Sequence, residues 1–229
     1  MIEAEWWDYD SPDEMAEAVA GDIGFIIASA LDARAAALVA LPATDTAREI
    51  FPALAAAELQ WRQVTIVPSD DAIVGVDSED SSARAIAQIF LPTGARVIPI
   101  ATVLDDYRLA GNSADARLQD LPWPPDLVWL SVEEEGNAAG IAAGADFQDA
   151  LEAPKARRAV GVMPEGGGAP RVTLTRSSIL SARTVLITVR GDSNRKLLEL
   201  AIADGQSSQL PIGRVLAEAE QPIDIHWCA

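Results

Sequence analysis

Asp126-Leu127-Val128-Trp129-Leu130-Ser131-Val132 is an apolar run with almost no alternation. A strand that faces water on one side alternates apolar and polar residues, whereas a strand covered on both faces does not need to. This stretch therefore reads as a strand buried from both sides. The rigid turn Pro122-Trp123-Pro124-Pro125 leads into it, and Glu133-Glu134-Glu135-Gly136-Asn137 leads out.

Upstream, Ala35–Leu41 and Val64–Pro68 have the same character, and each follows a stretch with helical spacing. Ser11-Pro12-Asp13-Glu14 marks a helix start, with Ser11 at the N-cap, Pro12 at the first helical position and Glu14 closing a capping box. Met15–Leu31 continues that helix. Thr44–Ala57 places Ile50, Leu54 and Ala57 on one face. Ser81–Phe90 and Ser113–Leu121 read as helices, and Val97–Ile100 as a short strand. Downstream, Ala159–Met163, Arg171–Thr175 and Thr184–Val189 read as strands, Asn194–Ile202 as a helix and Ile223–Trp227 as a closing strand. The aromatic Ile2–Tyr9 reads as an edge strand. Ser69–Asp80 reads as an acidic loop. Strands alternating with helices imply an α/β fold, a mainly parallel sheet flanked by helices on both faces. The loops after Leu41, Val67 and Leu130 are then expected at the strands' C-terminal edge, where such sheets place their ligands.

The chain has 229 residues, of which 49% are hydrophobic and 5% aromatic. That suits a single domain over 1–229 whose core leans on Ala, Val, Leu and Ile. The net charge of −18, from 35 acids and 17 bases, argues against nucleic acid or an anionic membrane as partner. No apolar run reaches the roughly 20 residues that span a bilayer. The acidic opening Met1-Ile2-Glu3-Ala4-Glu5 is unlike a secretory signal, so the cytoplasm is the expected location. Cys228 is the sole cysteine, so no intrachain disulfide forms. His226 is the sole histidine, which excludes His-rich metal sites, and it reads as a satisfied histidine of an edge strand. Glu165-Gly166-Gly167-Gly168-Ala169-Pro170 lacks the Lys-Ser/Thr ending of a phosphate loop and reads as a flexible connection.

The order of these segments, together with local sequences inside them, resembles the 6-phosphogluconolactonase family, which is related in fold to glucosamine-6-phosphate deaminases. After the central strand the family carries Leu-Gly-Met-Gly-Glu-Asp-Gly-His-Thr-Ala-Ser-Leu-Phe-Pro-Gly. This chain runs from Leu130 to Gly144 in the same register, keeping Glu134, Gly136, Ala139 and Gly144 and placing Asn137 at the family's catalytic histidine. The family's Asp-Glu-Arg-x-Val aligns with Asp70-Asp71-Ala72-Ile73-Val74, and its Asp-Ser-Asn with Asp80-Ser81-Ser82. Its phosphate loop Ser-Gly-Gly-Ser-Thr-Pro aligns with Pro42-Ala43-Thr44-Asp45-Thr46-Ala47, where only Thr46 survives. Arg171-Val172-Thr173-Leu174-Thr175 keeps the family's strand, and Leu210-Pro211 and Arg214-Val215 fit its Leu-Pro-Ala-x-x-Val stretch. In the family's Gly-x-x-Lys, Gly191 is kept and Asn194 stands at the lysine, followed by Arg195 and Lys196.

The resemblance implies hydrolysis of 6-phosphogluconolactone to 6-phosphogluconate in the pentose phosphate pathway, a small sugar-phosphate or lactone ligand, and no cofactor or metal. It places Asn137, Glu134, Asp70 and Asp71 at the catalytic positions, and Thr44, Asp45, Thr46, Gly136, Arg171, Asn194 and Arg195 at the substrate. Asn137 cannot take up a proton near neutral pH, and loss of a general base typically costs ~10²–10⁴-fold in rate. Neighbouring carboxylates, Glu133, Glu134, Glu135, Asp70 and Asp71, raise one another's pKa and are the candidates for a replacement base. Asp45 is expected to cap the helix that would hold phosphate, taking its N–H donors and repelling a dianion. Ala72 removes a bidentate donor, with Arg195 a candidate substitute. Three readings follow: a sugar-phosphate lactonase with displaced groups, a non-catalytic member binding another ligand or a partner protein, or a hydrolase of an uncharged lactone or sugar.

Overall fold

The computed structural model describes residues 3–132, 136–164 and 168–229. In chain order its elements are β1 (Ala4–Tyr9), α1 (Pro12–Arg34), β2 (Ala37–Leu41), α2 (Asp45–Ala55), β3 (Val64–Pro68), β4 (Asp70–Ala72), α3 (Ser82–Phe90), β5 (Arg96–Val97), α4 (Tyr107–Gln119) and β6 (Leu127–Val132). They continue with α5 (Phe147–Glu152), β7 (Ala159–Val162), β8 (Arg171–Leu174), α6 (Arg176–Ser181), β9 (Thr184–Arg190), α7 (Asp192–Asp204), α8 (Pro211–Leu216) and β10 (Ile223–Cys228).

Seven strands form one parallel sheet in the order β1-β10-β9-β6-β2-β3-β5. β6 lies in the middle and every residue of it is buried. Its side chains alternate between two separate cores. Leu127 and Trp129 join Ile23 of α1, Phe51 of α2 and Ile86 of α3 on one face. Val128, Leu130 and Val132 join Ala114 of α4, Leu198 of α7 and Val215 of α8 on the other. Trp129 packs edge-on to Phe51, and its indole N–H reaches Thr188 Oγ1 at 3.0 Å, so its polar tip is satisfied in a dry interior.

At the entry to β6 the Asp126 carboxylate is buried and accepts from the Leu38 N–H at 3.0 Å. Arg34 at the end of α1 donates to it, and Arg183 just before β9 lies at 3.4 Å. The start of α1 follows the expected signals. Ser11 Oγ accepts from Glu14 N, while Glu14 Oε2 accepts from Asp10 N, one residue before the site a capping box would use. Helix α4 begins at Tyr107 rather than Ser113, because Asp106 caps it by accepting from the N–H groups of Arg108 and Leu109.

Two features depart from the sequence reading. β7 and β8 are not in the parallel sheet, and Asp70-Asp71-Ala72 is not loop. The three strands pair antiparallel in the order β4-β8-β7, forming a small second sheet. β7 is held by α4 at backbone contact: a Cβ at Gly111 would stand 2.0 Å from Gly161 N, and one at Gly161 only 1.9 Å from the Tyr107 carbonyl oxygen.

His226 is a further departure. β10 pairs with β1 on one side and β9 on the other, so His226 lies inside the sheet rather than at its edge. Its ring stacks on Tyr9, whose hydroxyl meets Nδ1 at 2.9 Å. Nε2 has no hydrogen-bond partner among the described residues, and Asp22 Oδ2 stands 3.6 Å away.

Burial pushes the His226 imidazole down to about 4 from its ordinary 6.5, against a smaller upward pull from Asp224. Between those values the unfolded chain binds a proton that the folded one refuses. Stability carried by His226 is therefore full above about 6.5 and is lost as pH falls toward 4. A shift of this size is worth about 3 kcal/mol at most. His226→Asn should remove that slope, read as urea-unfolding free energies at pH 7 and 4.5; an unchanged slope would exclude His226 as its source.

Candidate active site

The turns after β2, β3 and β6 open at the C-terminal edge of the parallel sheet, and the small sheet closes the space beside them. The result is a cavity of about 710 Å³. Pro42, Ala43, Thr44 and Asp45, with Arg48 one turn further along α2, make one wall. Asp70 and Ala72 of β4 and Arg171 of β8 make another, and Ser131, Asn137, Ala139 and Gly140 follow from β6. Glu79 and Asp80 stand before α3 at the same cavity.

Asp70, Asn137 and Arg171, far apart in sequence, thus line one cavity. Antiparallel pairing of β4 with β8 sets Asp70 near Arg171, whose Nε and Nη2 donate to Asp70 Oδ2 at 2.8 and 2.5 Å. Burial works against the Arg171 charge, but Asp70 outweighs it and lifts the guanidinium above its ordinary range. The turn after β6 presses on the same carboxylate. Gly140 has φ +76, and a Cβ there would lie 2.8 Å from Asp70 Oδ2. Only glycine accepts both that backbone and that neighbour. Ala138 and Ile141 close the turn with reciprocal backbone hydrogen bonds of 3.1 and 2.7 Å, and Thr173 Oγ1 ties it to β8 through the Ala139 carbonyl.

Of the remaining candidates, Thr44 and Asp45 line the cavity and the other described ones fall elsewhere. Thr44, not Asp45, is the N-cap of α2: its backbone is extended, and Oγ1 accepts from Ala47 N at 3.3 Å. Asp45 is the first helical residue, exposed beside the cavity, and Thr46 is outside the cavity lining. Gly136 is buried away from the cavity, with φ +65, where its carbonyl accepts from Ile212 N at 2.9 Å and Leu197 and Leu210 would crowd a Cβ. Asn194 donates to the Arg190 carbonyl at 2.9 Å. Arg195 is no substitute cation: it lies between the rings of Trp6 and Trp227 and pairs with Asp8 at 2.7 Å and Glu199 at 3.0 Å. Glu134, with Glu133 and Glu135, lies outside the described residues, as do Glu165, Gly166 and Gly167. Arg48 was missed by the sequence reading, although its place one turn after the Thr44 cap was the available signal.

Asp71 points away from the cavity, because successive residues of a strand face opposite sides. It is buried and accepts from Ser82 N at 2.7 Å and Ala83 N at 3.4 Å, serving the N-terminus of α3 beside the Ser81 cap. Among the described residues no three His, Cys, Asp or Glu side chains are placed to share a metal ion. No described helix is long and apolar enough to cross a membrane.

A model of the family described as glucosamine-6-phosphate isomerases/6-phosphogluconolactonase matches residues 10–227. The chain belongs to that family. It is 30% identical over 223 residues to a 6-phosphogluconolactonase of Rhizobium meliloti (strain 1021), covering 96% of each chain. A 6-phosphogluconolactonase of Mesorhizobium japonicum is 29% identical, with 97% of this chain and 94% of the relative covered. The fold matches the crystal structure of a 6-phosphogluconolactonase from Shewanella baltica OS155 with a TM-score of 0.92 at 24% identity, over 99% and 98% of the two chains. A monomeric glucosamine-6-phosphate deaminase matches with a TM-score of 0.79 at 13% identity, over 98% and 97%. Four of the chain's departures from the family pattern, Ala43, Thr44, Ala72 and Asn137, line the same cavity.

Burial pushes the Asp71 carboxyl up to about 6 from 3.8; the Ser82 and Ala83 N–H groups pull it down, Asp70 raises it and Arg171 lowers it. A raised folded value means stability is fully present below about 3.8 and is lost as pH rises through about 6, the opposite slope to His226. Asp71→Asn should abolish this contribution, about 3 kcal/mol at most, leaving a protein whose stability falls more steeply on acidification than the wild type's. Urea titrations of both proteins from pH 7.5 to 4.5 check it.

Proposed function

We propose that this chain is a 6-phosphogluconolactonase that hydrolyses 6-phosphogluconolactone to 6-phosphogluconate in the pentose phosphate pathway, at a rate held down by Asn137. The observation that carries the reading is the single cavity in which a member of this family gathers Asp70, Asn137, Arg171 and the start of α2. In the same reading residues 1–229 are one cytoplasmic domain whose ligand is a small sugar phosphate or lactone, and no cofactor takes part.

Water must attack the lactone carbonyl carbon, a proton must leave that water, negative charge must be held on the carbonyl oxygen, and the ring oxygen must depart as an alcohol. Asn137 can orient the water or donate to the oxyanion but cannot accept the proton. Arg171 supplies hydrogen-bond donors for the oxyanion. Asp70, the lining carboxylate beside Arg171, is the proton acceptor in this reading, but Arg171 engages its Oδ2, which weakens it as a base. A slow hydrolase is the consequence.

A second reading, hydrolysis of an unphosphorylated lactone or ligand binding without turnover, is favoured by one observation. Asp45, Asp70, Glu79 and Asp80 line the cavity, and one of its two arginines is already paired.

With freshly made 6-phosphogluconolactone, and spontaneous hydrolysis subtracted, turnover is expected at least ~10²-fold below that of a family member with its histidine. Asn137→His should raise it about 10-fold or more, and Asp70→Asn should remove what the wild type has. Wild-type turnover equal to a histidine-bearing relative would overturn the assigned role of Asn137.

A further inference from the structure

A sugar-phosphate dianion needs cations, and in a chain with 35 acids and 17 bases most arginines near the sheet's C-terminal edge already have partners. Arg171 is held by Asp70, Arg190 by Glu49 at 2.5 Å, and Arg195 by Asp8 and Glu199. Arg48 differs. It lines the cavity, and among the described residues no carboxylate pairs with it. Its Nε donates to the Ala43 carbonyl at 2.9 Å, which fixes the guanidinium plane across the β2–α2 turn and leaves both terminal nitrogens for an anion. It stands on the first turn of α2, an 11-residue helix. There Thr44 Oγ1 accepts from Ala47 N and the Thr44 carbonyl accepts from Arg48 N, so the N–H groups of Asp45 and Thr46 remain outside the cap and the helix ladder.

We infer that Arg48 is the specificity residue for the phosphate group of the substrate. This rests on the lactonase reading above and supplies the cation that Ala72 and Arg195 do not. The phosphate lies against Arg48 and the opening of α2, with Asp45 opposing it, while the lactone end lies at Arg171, Asn137 and Asp70. A planar, permanently charged guanidinium with an anchored Nε can hold two phosphate oxygens through its free edge.

Calorimetry with 6-phosphogluconate and with gluconate as probes separates the possibilities. Wild type should bind 6-phosphogluconate more tightly than gluconate. Arg48→Gln should weaken 6-phosphogluconate about 10-fold or more and gluconate by less than about 2-fold, while Asp45→Asn should tighten 6-phosphogluconate alone. Arg96→Gln on β5, at the far edge of the sheet, controls for the loss of one positive charge and should change neither. In turnover, Arg48→Gln should raise KM with kcat kept. If Arg48→Gln weakens both probes equally, or neither, Arg48 is not a phosphate residue, and the lactonase reading stands provided wild type turns the substrate over. If wild type binds gluconate as tightly as 6-phosphogluconate, the inference falls and an unphosphorylated substrate is indicated. If wild type neither binds 6-phosphogluconate nor hydrolyses its lactone, the lactonase reading falls and takes the inference with it.

Discussion

Asp126 carries a carboxylate into the protein where three elements meet. A charge so placed is tolerated only when its partners are fixed around it, and here they are the end of α1, the Leu38 N–H of β2 and the arginine that precedes β9. The backbone repeats the arrangement: Asp126 N donates to the Leu38 carbonyl at 2.7 Å, and the Asp126 carbonyl accepts from Thr184 N at 3.2 Å. β6 therefore enters the sheet in one register between β2 and β9. Slippage by one residue would exchange the two faces of the strand and would leave the carboxylate without its arginines. The turns at the opposite end, from which the cavity is built, inherit their heights from this anchor.

The cavity is a place where charges are balanced locally. Asp70 and Arg171 neutralise each other, and the Gly140 turn presses on the pair so that Asp70 has little freedom to leave. What the pair offers a ligand is an oriented dipole. The net potential of the space is then decided at its rim, where Asp45, Glu79 and Asp80 face the single guanidinium of Arg48 among the described residues. A site of this kind discriminates by position more than by total charge.

The sheet was legible because its strands carry their own evidence. Ala37–Leu41, Val64–Pro68 and Leu127–Val132 are apolar on both faces, and only a doubly covered parallel strand uses such a run. α5, α6 and α8 were not legible, since six residues hold too little period to detect. β4 was hidden for the same reason: three residues, two of them acidic, resemble a loop until β8 is laid against them. At the site, motif alignment singled out Asp70, Asn137 and Arg171, which line one cavity. It could not tell Thr44 from Asp45, because both residue types cap helices and only the backbone turn decides which one does. Nor could it foresee Arg195, captured by Trp6 and Trp227 from opposite ends of the chain.

Gly111 and Gly161 bear no chemistry and do not touch Asp70, yet they set a dimension of the cavity. With no side chain between them, α4 and β7 meet at the thickness of bare backbone. β7 is hydrogen-bonded to β8 and β8 to β4, so the strand resting on the helix is rigidly joined to the strands that carry Arg171 and Asp70. A methyl group at either glycine would lift that ladder and move the wall of the cavity with it. The width available to a ligand is in this sense gauged from outside the site, and drift at these two positions is closed to the chain unless helix and strand move apart together.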